Sequence, residues 1–175
     1  ILAASRDLIK ENGWAAVSIR AVASRCSVSA GTIYNYYETK ADLLSDTIES
    51  IWHEIFFHPE DEQVFHDVES CISWIYERLE YGNSQFPGFF SLHSFGFMRD
   101  EKTSGKKRMM KTWGHILNGL CEVLGSDPKV RSDVFDQEFT EKKFADILFS
   151  LILVSMIRQD YDPSSVLMLV KKTLY

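Results

Sequence analysis

Apolar positions recur at helical spacing through nearly the whole chain, and no segment alternates with the period of a strand. Ile1, Leu2, Leu8, Ile9 and later Trp14 mark a first amphipathic helix that Asn12-Gly13 should end, because glycine accepts the backbone conformation that closes helices. Val17 and Ile19 continue a small core, to which Val22, Ala23, Val28, Ile33, Tyr37 and Leu43 can contribute. Within this core stands the stretch from Ser18 to Lys40. Ser18 can cap a short helix from Ile19 to about Cys26, and Ser29 a second from Ala30 to about Tyr37, since both hydroxyls can accept from amides left unpaired at a helix start. Only Ser27 and Val28 lie between, so the spacing predicts a helix-turn-helix unit whose second helix reads a DNA major groove.

Thr39 caps a long fourth helix, with Asp42 placed in its first turn where the helix dipole favours an acid. Leu44, Ile48, Ile51 and Ile55 recur along it on one face. His58-Pro59-Glu60-Asp61 breaks the pattern and is the predicted domain boundary. The period resumes from about Glu62 to Tyr81, and Gly82-Asn83 should stop it. Phe86 to Met98 holds five phenylalanines interrupted by Pro87, Gly88 and Gly96, which predicts a short irregular helix. Thr103 to about Lys107 reads as a basic loop, and the following helix should run to Leu124. After a connection to Glu138, the segment from about Glu141 to Gln159 is apolar on nearly all sides and must be buried all round, partly by another subunit. A last helix spans Ser164 to about Leu174.

At 175 residues and 45% hydrophobic, the chain is long enough for a sizeable core, and its class is all-α. A net charge of −6 excludes a protein that coats nucleic acid without selectivity. Residues 1 to 56 even hold five Lys/Arg against seven Asp/Glu, but within Ser18 to Lys40 the balance reverses: Arg20, Arg25 and Lys40 face a single acid, Glu38. Cys26, Cys71 and Cys121 have no metal spacing and are odd in number, so they read as reduced thiols in apolar helices. With no signal peptide and no long apolar run, the expected location is cytoplasmic and no membrane partner is implied.

On the second helix of the unit, at about 100° per residue, Ile33 and Tyr37 share one side while Gly31, Thr32 and Asn35 spread over the other, flanked by Tyr34 and Tyr36. Small, hydroxyl and amide groups turned outward suit contacts to phosphates and base edges. Together with the opening helix and Gly13, the run Ser18-Ile-Arg-Ala-Val-Ala, the run Val28-Ser-Ala-Gly-Thr-Ile-Tyr-Asn-Tyr-Tyr and the start Thr39-Lys-Ala-Asp-Leu-Leu, residues 1 to 56 resemble the DNA-binding domain of the TetR family of bacterial transcription regulators. Ser27 departs from the family, which commonly has glycine at that turn.

The resemblance implies a three-helix helix-turn-helix head at 1–56, joined by the long fourth helix to a helical effector-binding and dimerisation body at 57–175. Its function would be that of a ligand-responsive regulator, a repressor released from a palindromic double-stranded operator by a small hydrophobic effector. The resemblance and the outward face together assign base contacts to Ala30, Gly31 and Asn35, with Tyr36 at the groove edge and Ser29 at the helix start. Phosphate contacts fall to Ser18, Arg20, Thr32, Tyr34 and Lys40, where the fourth helix adds free amides and a favourable dipole. The chain opens at Ile1 with helical period already running, so a preceding arm is anticipated, often basic in that family.

An enzyme would need a site. His53-Glu54-Ile-Phe-Phe-His58 is one residue longer than the zinc-protease motif, which leaves its histidines roughly 140° apart on a helix. Neither a phosphate loop, a nucleophile elbow nor a dinucleotide turn occurs, so no catalytic residue, metal or cofactor is assigned. The alternative is a helical enzyme or adaptor that uses the helix-turn-helix only as structure. In the body, aromatic density nominates Trp74, Phe89, Phe90, His93, Phe97 and Trp113 as walls of an apolar effector pocket, with a filled core as the competing reading. Phe144, Leu148, Leu151, Ile152, Ser155, Val166, Leu169 and Val170 are the expected homodimer interface.

Overall fold

The computed structural model describes residues 1–56, 65–90 and 104–175. Among the described residues there are eight α-helices and one 3-10 turn, and no strand. The chain divides into two compact units, one of residues 1–58 with 82–110 and one of 59–81 with 111–175. The cut expected at residue 56 is therefore only part of the division, because a later segment folds with the head.

In the first unit, α1 (Leu2–Asn12) ends where expected, at Gly13, whose φ of 76° no β-carbon bearing residue adopts cheaply. A 3-10 turn, Trp14–Ala16, leads to α2 (Ile19–Arg25) and α3 (Ala30–Tyr34). Val17, Ile19, Val22, Ala23, Ile33 and Leu43 form the small core read from the sequence. Val28 does not join it: at 40% exposure it lies on the turn, where the chain has no interior to offer. The third helix is also shorter than expected: beyond Tyr34 the Asn35 amide donates to the Gly31 carbonyl, and the Tyr36 and Tyr37 amides both turn to the Ile33 carbonyl, where the helix ends.

The long helix α4 (Lys40–Phe56) buries Leu43, Ile48, Ile51, Trp52, Ile55 and Phe56, a broader face than the expected stripe, with Leu44 only half-buried. Ion pairs fasten α1 to it. Glu54 accepts from Arg6 Nε at 2.7 Å and from Lys10 Nζ at 2.6 Å, and Arg6 also donates to Ser50. The next helix, α5 (Val68–Gln85), passes straight through Gly82 and does not stop there. Gly82 is instead a packing position: a Cβ on it would stand 2.6 Å from Ile55 Cδ1 and 3.0 Å from Phe90 Cζ.

In the second unit, Val68, Cys71, Ile72, Ile75, Tyr76 and Leu79 of α5 are buried, as are Leu120, Val123 and Leu124 of α6 (Ser104–Ser126). The start of α6 corrects another expectation, for Ser104 to Lys107 is helix and not loop. Asp127, buried at the end of α6, accepts from the Val68 amide at 2.9 Å and from the Tyr175 hydroxyl at 2.5 Å, so it caps α5 and holds the chain end. Cys26, Cys71 and Cys121 are unpaired thiols, and burial pushes Cys71 up to about 12.

Two helices close the unit, α7 (Glu141–Arg158), capped by Thr140, and α8 (Ser164–Leu174), both as expected in extent. Their faces are not as expected. Phe144, Leu148, Ile152, Val166 and Val170 are buried within the chain itself, and Ser155 shares a 2.9 Å hydrogen bond with Tyr76. The exposed apolar side chains are Ile147 (44%), Val154 and Ile157 of α7 with Met168 (58%) and Leu169 of α8. Of the expected interface, Leu169 is exposed and Leu151 half-buried. The period alone cannot say which side of an all-round apolar helix faces its own core.

Candidate nucleic-acid interface

The reading unit is built by local hydrogen bonds that its serines supply. Ser18 Oγ accepts from the Ala21 amide and Ser29 Oγ from the Thr32 amide, each at 3.1 Å, so both helix starts are capped as the spacing predicts. At the end of α2 the Val28 amide donates to the Ala23 carbonyl at 3.0 Å and the Ser27 amide to the Ser24 carbonyl at 3.1 Å. This pair of bonds defines a Schellman turn, and it forces Ser27 to a φ of 57°. The reversal brings α3 against α2 with Ile33 fully buried between them.

Burial of that one isoleucine fixes what α3 shows to the outside. Gly31, Asn35, Tyr34 (54%) and Tyr36 (71%) are exposed, while Ala30 and Thr32 are half-buried. Thr32 Oγ1 lies 3.0 Å from Ser29 Oγ, so these hydroxyls hold each other at the helix start. A Cβ on Gly31 would meet only Ser29 Oγ, at 3.6 Å, so nothing inside the chain requires glycine there. That leaves the outer side of α3 as a surface of backbone, amide and phenol groups with no protein neighbour pressing on it.

The cations differ in availability. Arg25 is clasped by both carboxylate oxygens of Glu11, one at 2.7 Å from Nη1, a pairing that lowers the Glu11 carboxyl below its ordinary range. Arg20 and Lys40 are exposed and have no ion-pair partner among the described residues. Lys40 opens α4, but the helix start is less open than the sequence implies. Asp42 Oδ2 accepts from the Thr39 amide at 3.0 Å and from its hydroxyl at 2.8 Å, while Thr39 Oγ1 accepts from the Asp42 amide at 3.2 Å. This capping box consumes two amide donors and leaves the Lys40 and Ala41 amides for an anion.

Sequence reasoning did not find the supports behind this face. Glu54, Arg6 and Lys10 tie α1 to α4 across a long stretch of chain, and no local pattern marks them. Of the expected pocket residues, Phe89 and Phe90 are buried in the first unit beside Trp52, with ring centroids 5.3 and 5.6 Å from it. Trp74 and Trp113 belong to the second unit, where they pack on Phe65 and Phe149 at 5.2 and 5.8 Å. His93 and Phe97 lie outside the described residues, as do the expected boundary at 58–61 and most of the irregular segment up to Met98. The indole N–H groups of Trp52 and Trp113 are buried without a hydrogen-bond partner among the described residues. Among the described residues no cluster of His, Cys, Asp or Glu could hold a metal ion, and no helix is long and apolar enough to cross a membrane.

A capped helix pair with its second member exposed, inside an all-helical chain, is a helix-turn-helix unit. Residues 1–47 match the family model described as bacterial regulatory proteins, tetR family. No curated protein matches it in sequence. Solved structures do match in fold. A TetR transcription regulator from Haloarcula marismortui is 17% identical, with 99% of this chain and 96% of that one covered at a TM-score of 0.72. FadR from Bacillus subtilis, in complex with stearoyl-CoA, is 15% identical over 98% and 91% of the two chains at 0.60. BioQ, solved with its double-stranded DNA operator, is 17% identical over 91% and 83% at 0.55.

Proposed function

We propose that the chain is a homodimeric transcription repressor that reads a two-fold operator through α3 and leaves it when a small, mostly apolar effector binds. The observation that carries this reading is the outer side of α3: Gly31, Tyr34, Asn35 and Tyr36 are exposed around a single buried anchor, Ile33. Asn35 is suited to a bidentate contact with adenine, and the bare backbone at Gly31 allows close approach to a base edge. Ser18, Arg20, Ser29, Thr32, Tyr34 and Lys40 supply phosphate contacts, with Ala30 beside Gly31 against the bases. Solved with operator DNA, BioQ supports the same use of the fold here.

The homodimer reading rests on the exposed apolar side chains of α7 and α8. Ile147, Val154, Ile157, Met168 and Leu169 would form an isologous interface in which each protomer covers the other's patch. Two-fold proteins read two-fold DNA, so operator half-sites would lie about one helical turn apart.

An effector is supported by the buried, unpartnered Trp113 Nε1 beside Phe149. Leaving a buried donor unmade costs about 1 to 3 kcal/mol, which a ligand acceptor would recover. The effector class is thus apolar with one acceptor oxygen, and FadR, bound to stearoyl-CoA, shows that a protein of this fold accommodates a molecule with a long apolar part. No catalytic role is assigned, and the regulator acts in the cytoplasm. Gel-shift titration against DNA flanking the protein's own gene, followed by release with compounds found by thermal shift, tests the reading. Absence of any specific complex would count against it.

A further inference from the structure

We propose, resting on the homodimer reading above, that Asp127 and Tyr175 form a clasp that positions α8, and with it the side chains Met168 and Leu169 offered to a second copy of the chain. The packing of α8 shows why a clasp is needed. Its buried side chains, Val166, Val170 and Leu174, follow one another at intervals of four residues and make a single row along the helix. Successive members of such a row are displaced by only about 40°, so the row resists lifting of the helix but opposes its rotation weakly. At its start the helix is held by its own loop, where Asp162 accepts from the Ser164 amide at 2.9 Å and from the Ser164 hydroxyl at 2.7 Å.

The other end is tied to two further elements. Asp127, 5% exposed, accepts at Oδ2 from the Val68 amide of α5 at 2.9 Å and from the Tyr175 hydroxyl at 2.5 Å, while Oδ1 accepts from the Lys129 amide at 2.8 Å. Three donors thus compensate a buried carboxylate, and one of them stands just past the end of α8. Arg131 turns back on the same helix end. Its amide donates to the Leu174 carbonyl and its Nη2 to the Thr173 carbonyl, both at 2.9 Å, which fills acceptors that a helix end leaves open and sets a cation at the negative pole of the helix. Lys171 reaches Glu69 of α5 at 2.9 Å. Lys171 and Tyr175 lie to one side of the buried row, so their attachments oppose the rotation that the row permits. Met168 and Leu169 are 58% and 37% exposed and stand within about two turns of the clasp. Rotation of α8 would turn them away from the two-fold axis that an isologous interface requires.

The test uses the full chain as wild type, Tyr175→Phe, Arg131→Met and Ile72→Val, with hydrogen exchange by mass spectrometry and the dimer dissociation constant by analytical ultracentrifugation. Amide exchange across residues 166–175 should be about tenfold faster or more in Tyr175→Phe, the scale of one hydrogen bond to a charged group, while residues 2–17 stay as in the wild type. The dimer constant should rise about three- to tenfold in Tyr175→Phe and in Arg131→Met. Ile72→Val trims the core of the same unit without touching the clasp, so it should leave the dimer constant unchanged. Unchanged exchange at 166–175 in Tyr175→Phe overturns the clasp. A dimer constant that Ile72→Val shifts as far as Tyr175→Phe does overturns the positioning role, because loss of stability alone would then explain it. Should Arg131→Met fail to fold, Tyr175→Phe, which loses a single oxygen, decides alone. A wild type that stays monomeric at micromolar concentration sinks the homodimer reading and the positioning role with it, while the exchange result still decides whether the clasp holds α8.

Discussion

The Val28 amide donates to the Ala23 carbonyl at 3.0 Å, and this bond holds Ser27 in the left-handed conformation between the two helices of the reading unit. A residue with a side chain is strained there by about 1 to 2 kcal/mol, partly offset when glycine replaces it by the entropy glycine loses on folding. Ser27→Gly should raise head stability by up to about 1 kcal/mol and leave base preference unchanged. Thermal unfolding checks the first part, and binding to a duplex that the wild type selects from a random library checks the second. A lower midpoint would show that the Ser27 side chain holds the turn in some other way.

On the proposed reading face, Asn35 and Lys40 should separate specificity from affinity. Asn35→Ala should relax preference at one base position in each half-site by roughly 1 to 3 kcal/mol. Lys40→Ala should weaken all sequences alike and flatten the salt slope by about 1 per subunit. Fluorescence anisotropy against matched and mismatched duplexes over a salt series distinguishes them. If both substitutions left binding unchanged, the reading face would lie elsewhere.

The proposed dimer face can be tested separately from DNA binding. Met168→Glu and Ile147→Lys place charge on exposed side chains and should give monomers by light scattering at micromolar concentration, with the helical signal retained. Leu148→Ala should instead cost about 2 to 5 kcal/mol of stability, because Leu148 fills the chain's own core. Dimers surviving both charged substitutions would place the interface on another surface.

Asp67 links α5 to pH. Its carboxylate accepts from Lys129 Nζ at 2.8 Å and from the Ser70 hydroxyl and amide at 2.7 Å, which hold it well below the usual carboxylate range. A depressed carboxyl contributes stability that is present above the unfolded value of about 4 and lost as pH falls through the folded one. Asp67→Asn keeps an acceptor at the helix start but loses the charge that pairs with Lys129, so it should lower stability at pH 7 and flatten the acid limb below about pH 4. Asp67→Ala should cost about 1 kcal/mol at neutral pH as well. Parallel acid limbs for wild type and Asp67→Asn would show that other carboxylates govern the loss.

What the sequence reveals here depends on distance along the chain. Ser18, Ser29 and Thr39 were legible because each cap acts on an amide three residues away, and Gly13 because its conformation is local. Gly82 read as a stop because the same absence of a side chain serves to end a helix or to admit a neighbour, and only the approach of Ile55 decides between them. The same applies to α7. Its apolar residues cover nearly every side, so the choice of Phe144, Leu148 and Ile152 for the core and Ile147, Val154 and Ile157 for the surface is not made by α7 itself but by its neighbours, among them Tyr76 of α5 against Ser155 and Trp113 of α6 against Phe149. Phe89 was singled out for its company of other phenylalanines, whereas its partners are Trp14 and Trp52. Contacts between positions so far apart leave no periodic trace.

Sequence-selective binding to DNA is the central claim, and selection of duplexes from a random library by the wild-type chain, at fixed salt, tests it most directly. The proposed function predicts enrichment of one motif with two inverted half-sites whose centres lie about 10 to 10.5 base pairs or a multiple apart. Asn35→Ala should lose preference at one position of each half-site. Recovery of no motif, with binding that follows salt concentration alone, would contradict the account.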